Sequence, residues 1–219
     1  MKHQNLNPLV GESWIWPLGK AFDILKEKII PYLKARKDEN ITIFPAESNI
    51  LRAFKEVPFD SVQVVILGQD PYHDGSATGL AFDNSISKKP SPSLRNVLKE
   101  IAEDTGETPT PKVLSYLEHL PSQGVLLLNT ALTVEKGSPE SHLELWQEFT
   151  QEVIKALNTK SKLVWVLWGA KAQKFSKNIN PNHTIVAAAH PSPFSYHKFK
   201  GCKCFTEVNK HLVNPIKWD

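Results

Sequence analysis

Apolar residues recur along this 219-residue chain in two rhythms. Across residues 18–37, Leu18, Phe22, Leu25 and Ile29 fall three or four positions apart, the spacing of one face of a helix. Pro31 has no amide hydrogen to continue the ladder and interrupts or kinks that helix near its end. A shorter helix is expected over residues 46–57, with Ile50, Leu51 and Phe54 on one side and Pro58 closing it. Four runs break this rhythm: Val62–Leu67, Val125–Leu128, Leu163–Trp168 and Thr184–Ala189. They are continuously apolar rather than alternating, the pattern of strands covered on both faces. Helical patterns lie between them. Ser91-Pro92 has the form of a cap plus a first-turn proline and opens a helix with Leu94, Val97, Leu98 and Ile101 inward. A second helix runs from about His142 to Leu157, a third begins near Gly169, and a last spans roughly Cys202–Leu212. The alternation predicts an α/β fold: a three-layer α/β/α sandwich around a central four-stranded, mainly parallel sheet.

That architecture makes a prediction about chemistry, because open parallel sheets bind ligands beyond the carboxyl ends of their strands. Reading off those ends gives Gly68-Gln69-Asp70-Pro71-Tyr72-His73, then Asn129, then Gly169-Ala170, then His190-Pro191-Ser192-Pro193. A carboxylate, an amide and an imidazole therefore converge, although Asp70 and His190 are far apart in the chain.

Composition narrows the setting. A chain of this length can bury one sizeable core, so a single domain over residues 1–219 is expected. No run approaches the roughly 20 apolar residues that cross a bilayer, so no membrane association is expected. Residues 1–14 lack the apolar stretch of a secretory signal, which leads to an expected cytoplasmic location. Cys202 and Cys204 are too close for an ordinary bridge and read as free thiols. Net charge is only +3, but residues 190–219 hold Lys198, Lys200, Lys203, Lys210 and Lys217 against Glu207 and Asp219. A local positive face suits an anionic polymer, but from charge alone a solvated lysine-rich helix is the first reading.

Each candidate residue has a plain structural reading beside the chemical one. Asp70 can cap a turn before Pro71, or orient a water and stabilise a developing cation. His190 can be a satisfied buried histidine, or a neutral donor to an oxygen gaining negative charge. Asn129 offers one acceptor and two donors to the edge of a planar amide-like ring. Phe82 is core filler or a stacking platform, and Tyr72 a wall or a packed aromatic. Asp70, His73 and His190 are legitimate zinc ligands, yet no ligand spacing such as HExxH is present. Neither GxxxxGK[ST] nor a strand-linked GxGxxG occurs, so the fold does not imply a nucleotide phosphate site.

Taken jointly, "GQDPYH" (68–73), "GLAF" (79–82), "LLLNTALTV" (126–134) and "AHPSP" (189–193) resemble the family 1 uracil-DNA glycosylases. "IFP" (43–45) and "GCKCF" (201–205) extend the similarity, which covers about Trp14 to Leu212. The resemblance implies an enzyme that releases uracil from DNA without metal or cofactor. It makes Asp70 the water-associated carboxylate and His190 the neutral donor to uracil O2. Asn129 reads the base edge, Phe82 stacks on the base, Tyr72 packs against C5, and Gln69 contributes near the base through its backbone. Ser93, Gly169, Ser192, Phe194 and Lys198 are implied DNA contacts. Implied partners are uracil-containing single- and double-stranded DNA and DNA-mimicking protein inhibitors, with the protein a monomer.

The chain departs from the family pattern along the DNA-facing rim. Phe194 stands where the wedge is usually leucine, Ala170 where a serine is common, Ser91 where the loop usually has another proline, and Cys204 where histidine is frequent. The segments 74–78 and 194–201 are each one residue shorter than usual. These changes predict altered DNA affinity rather than an altered reaction. The competing readings are a glycosylase of the same superfamily with different base specificity, and a noncatalytic DNA-binding homologue.

Overall fold

A computed structural model describes residues 10–85, 87–110 and 113–219. Residues 1–9, part of the stretch read above for a leader, lie outside the described residues. The element order is α1 (Gly19–Ile24), α2 (Ile30–Asp38), β1 (Ile43–Phe44), α3 (Arg52–Glu56), β2 (Val64–Gly68), α4 (Pro92–Thr105), β3 (Val125–Asn129), β4 (Val134–Glu135), α5 (Leu143–Leu157), β5 (Val164–Trp168), α6 (Gly169–Gln173), β6 (Thr184–Ala188), α7 (Tyr196–Phe199) and α8 (Cys204–Lys210).

The central sheet is four-stranded and parallel, in the order β3-β2-β5-β6. Helices cover both faces. On one, α1 and α3 meet α5, with Phe54 edge-to-face on Phe149 at 6.1 Å. On the other, α4 and α8 pack together, and Trp168 from the end of β5 lies against Phe199 and Phe205. This is the three-layer sandwich that the alternation predicted. The chain leaves β2 toward β3 on one side and leaves β5 toward β6 on the other. The crevice between the ends of β2 and β5 is thus a topological switch point, where such sheets bind ligands.

Several boundaries move for local reasons. β2 starts at Val64 rather than Val62 and runs on to Gly68, which pairs with Asn129 at the end of β3. β5 starts one residue later than Leu163, whose amide donates to the His183 ring (3.2 Å) instead of to a neighbouring strand. β6 is not covered on both faces as expected. It is an edge strand whose residues alternate in burial, with Ile185 39 % exposed. The first helix is split: a π-helical turn, Leu25–Ile29, accommodates the missing donor of Pro31, while Leu18, Phe22, Leu25 and Ile29 stay buried as the spacing predicts. β1 and β4 form a two-residue antiparallel pair too short to leave a readable pattern.

Helix α4 anchors the segment that carries the HPSP loop. Ser91 caps it, its Oγ accepting from the Leu94 amide at 3.1 Å, with Pro92 in the first turn. Further along, Asn96 donates to the Pro191 carbonyl at 2.7 Å, and buried Glu100 accepts from the amides of Gly201 and Lys203. Asp104 accepts from the amides of Phe205 and Thr206, which fixes the start of α8 at Cys204 rather than Cys202. Three residues of α4, Asn96, Glu100 and Asp104, therefore hold the chain from Pro191 to Thr206 at five points. The two thiols are free, Cys202 half-buried and Cys204 buried. No helix among the described residues is long and apolar enough to cross a membrane.

Candidate active site

The strand ends open into a cavity of about 220 Å³ lined by residues that include Gln69, Asp70, Tyr72, Phe82, Ser93, Asn129 and His190. Both predicted catalytic residues and all four predicted base-contacting residues face this one space. A neighbouring cleft of about 510 Å³ shares Gln69, Phe82 and His190 with it and adds Gly169, Ser192 and Phe194. Lys198 lies outside both, exposed on α7, and has no ion pair among the described residues. Phe194 is 94 % exposed, a large apolar side chain standing free at the mouth of the cleft.

Asn129 is seated by an absence. A β-carbon on Gly68 would stand 2.2 Å from its Oδ1 and 2.9 Å from the Ala81 β-carbon, so only glycine admits the amide at this register position. Asn129 is 5 % exposed, and its side chain makes no hydrogen bond among the described residues. Its acceptor and its two donors are thus available to a ligand. The backbone around it is tied down: the amides of Thr130 and Ala131 donate to the carbonyls of Gly68 and Gln69, at 3.0 and 2.9 Å.

His190 is held in one tautomer. Its Nδ1 accepts from the Ser192 amide at 3.0 Å, and a backbone amide can only donate, so the neutral ring carries its proton on Nε2. Burial first, then the positive charge of Lys171, pushes its pKa below the ordinary 6.5 and keeps the ring neutral at pH 7. Gly169 lets the chain pass beside it. With φ at +84°, and a virtual β-carbon 2.8 Å from the His190 β-carbon, the position excludes other residues.

Asp70 is half-buried, with both oxygens oriented. Oδ1 accepts from the Gln69 side chain at 3.0 Å, and Oδ2 from the Glu140 amide at 2.7 Å. Each oxygen keeps lone-pair capacity for a water. Phe82 has φ of +62°, uncommon for an aromatic residue, and lies edge-on to Trp168 at 4.9 Å and tilted to His190 at 5.9 Å. Tyr72 is locked at its hydroxyl, which donates to the Phe82 carbonyl at 3.2 Å and accepts from Ser91 Oγ at 2.6 Å. Burial pushes its pKa above the ordinary tyrosine value, so it stays a neutral wall.

Three contributors were not singled out from the sequence. Asp83 is buried beneath the cavity and accepts from Thr78 Oγ1 and from the amides of Tyr116 and Leu117, tying the GLAF turn to the loop before β3; burial raises its pKa. Glu140 reaches Asp70 from 70 positions away, and Lys171 pairs with Glu140. The turn-forming "GSP" before Glu140 was the only local signal, and it does not identify a partner. Among the described residues no group of three or more His, Cys, Asp or Glu side chains could hold a metal ion, so Asp70, His73 and His190 do not form a ligand set.

Fold and cavity together define an α/β protein with a small, polar-lined cavity at its strand ends. The Uracil DNA glycosylase superfamily model matches residues 54–213. The chain is 44 % identical to the uracil-DNA glycosylase of Aliivibrio salmonicida over 201 residues, covering 88 % of this chain and 89 % of that one. Identity to the Haemophilus influenzae uracil-DNA glycosylase is 45 % over 186 residues, covering 81 % and 84 %. Mimivirus uracil-DNA glycosylase superposes with a TM-score of 0.85 at 25 % identity, covering 99 % of this chain and 90 % of that one. A variant of the same enzyme solved in complex with UGI gives 0.86 at 26 %, covering 99 % and 92 %. The chain belongs to the uracil-DNA glycosylase superfamily, in its family 1.

Proposed function

We infer that this chain hydrolyses the N-glycosidic bond of deoxyuridine in DNA, releasing uracil and leaving an abasic site for repair. The observation that carries the reading is the glycine-seated Asn129 amide sharing one cavity with oriented Asp70 and single-tautomer His190.

C1′ is out of reach inside stacked DNA, so the nucleotide is first swung out of the helix. The base slides between Phe82 and the Tyr72 wall. Asn129 meets uracil N3–H with its oxygen and O4 with its NH₂. As the bond to C1′ lengthens, the sugar gains positive and the base negative charge. Asp70 stabilises the first and directs water to C1′, while His190 Nε2–H donates to O2 and lowers the cost of the second. The His190 proton stays on the ring, because a hydrogen-bonded uracil anion is a competent leaving group. Gln69 supports the base side of the pocket.

Selectivity follows from the same contacts. Cytosine presents an acceptor and a donor where uracil presents a donor and an acceptor, and each buried group left unpaired costs about 1–3 kcal/mol. Sites of this kind discriminate by about 10⁴–10⁵. Thymine adds a methyl group that meets the doubly hydrogen-bonded Tyr72. Ser93, Ser192 and Gly169 flank the path of the backbone phosphates, Lys198 adds positive charge further out, and Phe194 fills the space that the extruded nucleotide leaves. The protein acts as a monomer on single- and double-stranded DNA, and the same face suits a DNA-mimicking protein inhibitor.

The test is excision from matched oligonucleotides carrying uracil, thymine or cytosine at one position, with EDTA present. Release of uracil alone, undiminished by the chelator, is expected. Release of all three bases, or of none, contradicts the reading.

A further inference from the structure

Glu140 and Lys171 face one another across the outer cleft, which both of them line. Glu140 sits on the connection between β4 and α5; Lys171 sits on α6, immediately beyond the Gly169 passage that abuts His190. Their side chains form an ion pair, and Lys171 holds the Glu140 carboxyl below its ordinary range, with the nearby Gln69 side chain lowering it further. Exposed ion pairs of this kind contribute little to stability. The position of this one is its interest. The Glu140 backbone amide donates to Asp70 Oδ2, and Gln69, which touches Glu140, donates to Asp70 Oδ1. Every hydrogen bond seen on the Asp70 carboxylate therefore comes from a residue in contact with the pair or belonging to it. Glu140 also has φ of +67°, a conformation unfavourable for a β-carbon-bearing residue and maintained only where surrounding contacts dictate it.

We propose that Glu140 and Lys171 form a clasp that positions the Asp70 carboxylate: Lys171 fixes the Glu140 side chain, which fixes the Glu140 amide and Gln69, which together aim Asp70 at the water. This rests on the inferred role of Asp70. Both members are positioning residues and neither touches the base. The clasp joins the β2 and β5 strand ends, so it couples the carboxylate to the loop beside His190. Lys171 is also a cation beside the DNA path, where a phosphate contact is the competing account.

Single-turnover excision of uracil with enzyme in excess, together with binding to an oligonucleotide containing an abasic analogue, separates the two. Angular misplacement of a reacting group costs rate steeply, and Glu140→Ala and Lys171→Ala are each expected to slow excision about tenfold with little change in binding. Glu140→Ala retains the Lys171 charge near His190, so a slowing shared by both variants does not come from losing that charge. The double variant is expected to be no slower than either single one, whereas independent effects would multiply to about a hundredfold. Lys171→Arg, which preserves the pair, is expected to restore the rate. Unchanged rates in the single variants overturn the proposal. So does weaker binding in Lys171→Ala paired with tighter binding in Glu140→Ala at constant rate, the signature of a phosphate contact. Asp70→Asn in the same assay distinguishes the failures: if it retains full rate, the role of Asp70 falls; if it is inactive while Lys171→Ala is normal, only the clasp falls.

Discussion

Gly68→Ala isolates the seat of the base-reading amide. The new β-carbon would lie 2.2 Å from Asn129 Oδ1, and an ordinary contact begins at 3.4 Å, so the amide oxygen must retreat by about 1.2 Å, the difference of the two distances. Moving the glycine cannot relieve this contact, because the added carbon also stands 2.9 Å from the Ala81 β-carbon, Gly68 is paired with Asn129 on β3, and the preceding Leu67 is paired with Leu167 on β5. A shift of about 1 Å in a positioning group costs on the order of 10²-fold in rate, or about 2.7 kcal/mol of transition-state stabilisation. Overpacking should also cost about 1–3 kcal/mol of stability, and for a chain of this length each kcal/mol lowers the melting temperature by about 2–4 °C. Single-turnover excision of uracil from a single-stranded oligonucleotide measures the first effect, and thermal unfolding the second. The variant should melt as one folded species and excise about a hundredfold more slowly. A folded variant within about threefold of the parent would show that Asn129 does not read the base from this seat.

Three further outcomes are expected. Ser91→Ala removes both the α4 cap and the donor to the Tyr72 hydroxyl; it should cost about 1 kcal/mol of stability and raise thymine excision relative to uracil, and a lower melting temperature with an unchanged ratio would confine Ser91 to capping. Phe194→Ala should slow excision from duplex more than from single strands, since only the duplex has a stack to fill; equal slowing removes the wedge from the account. Because burial and Lys171 hold the His190 pKa below 6.5, the neutral donor persists as pH falls through that value. The acid limb of the single-turnover rate should then lie below pH 6.5, and a limb centred at or above it contradicts the assignment.

Much of this was legible from sequence because parallel strands display their chemistry at one end. Once the runs ending at Leu67, Leu128, Trp168 and Ala189 were read as parallel strands, the convergence of Asp70, Asn129 and His190 followed without side-chain detail. What stayed hidden depends on tertiary contact. Glu140 is an unremarked acid after a turn until the fold brings its amide to Asp70, and the value of Gly68 lies in the Asn129 oxygen that fills its missing side chain. Asp83 reads as a loop carboxylate, yet it joins two loops from beneath the cavity. The edge position of β6 was equally invisible, since Thr184–Ala188 is as apolar as an interior strand and only its neighbours decide which face is covered. Ser91 had a readable role as a cap; its hold on Tyr72 did not, because that hydroxyl arrives from the end of another strand.

The most direct measurement compares Asp70→Asn with the parent in two readouts: uracil release under single turnover, and affinity for a uracil-containing oligonucleotide. Asparagine keeps the size of the side chain and removes its charge. The account predicts release slowed by about 10²–10⁴-fold, with affinity essentially unchanged. Release at the parental rate would mean that the bond is broken without this carboxylate, contradicting the mechanism at its centre.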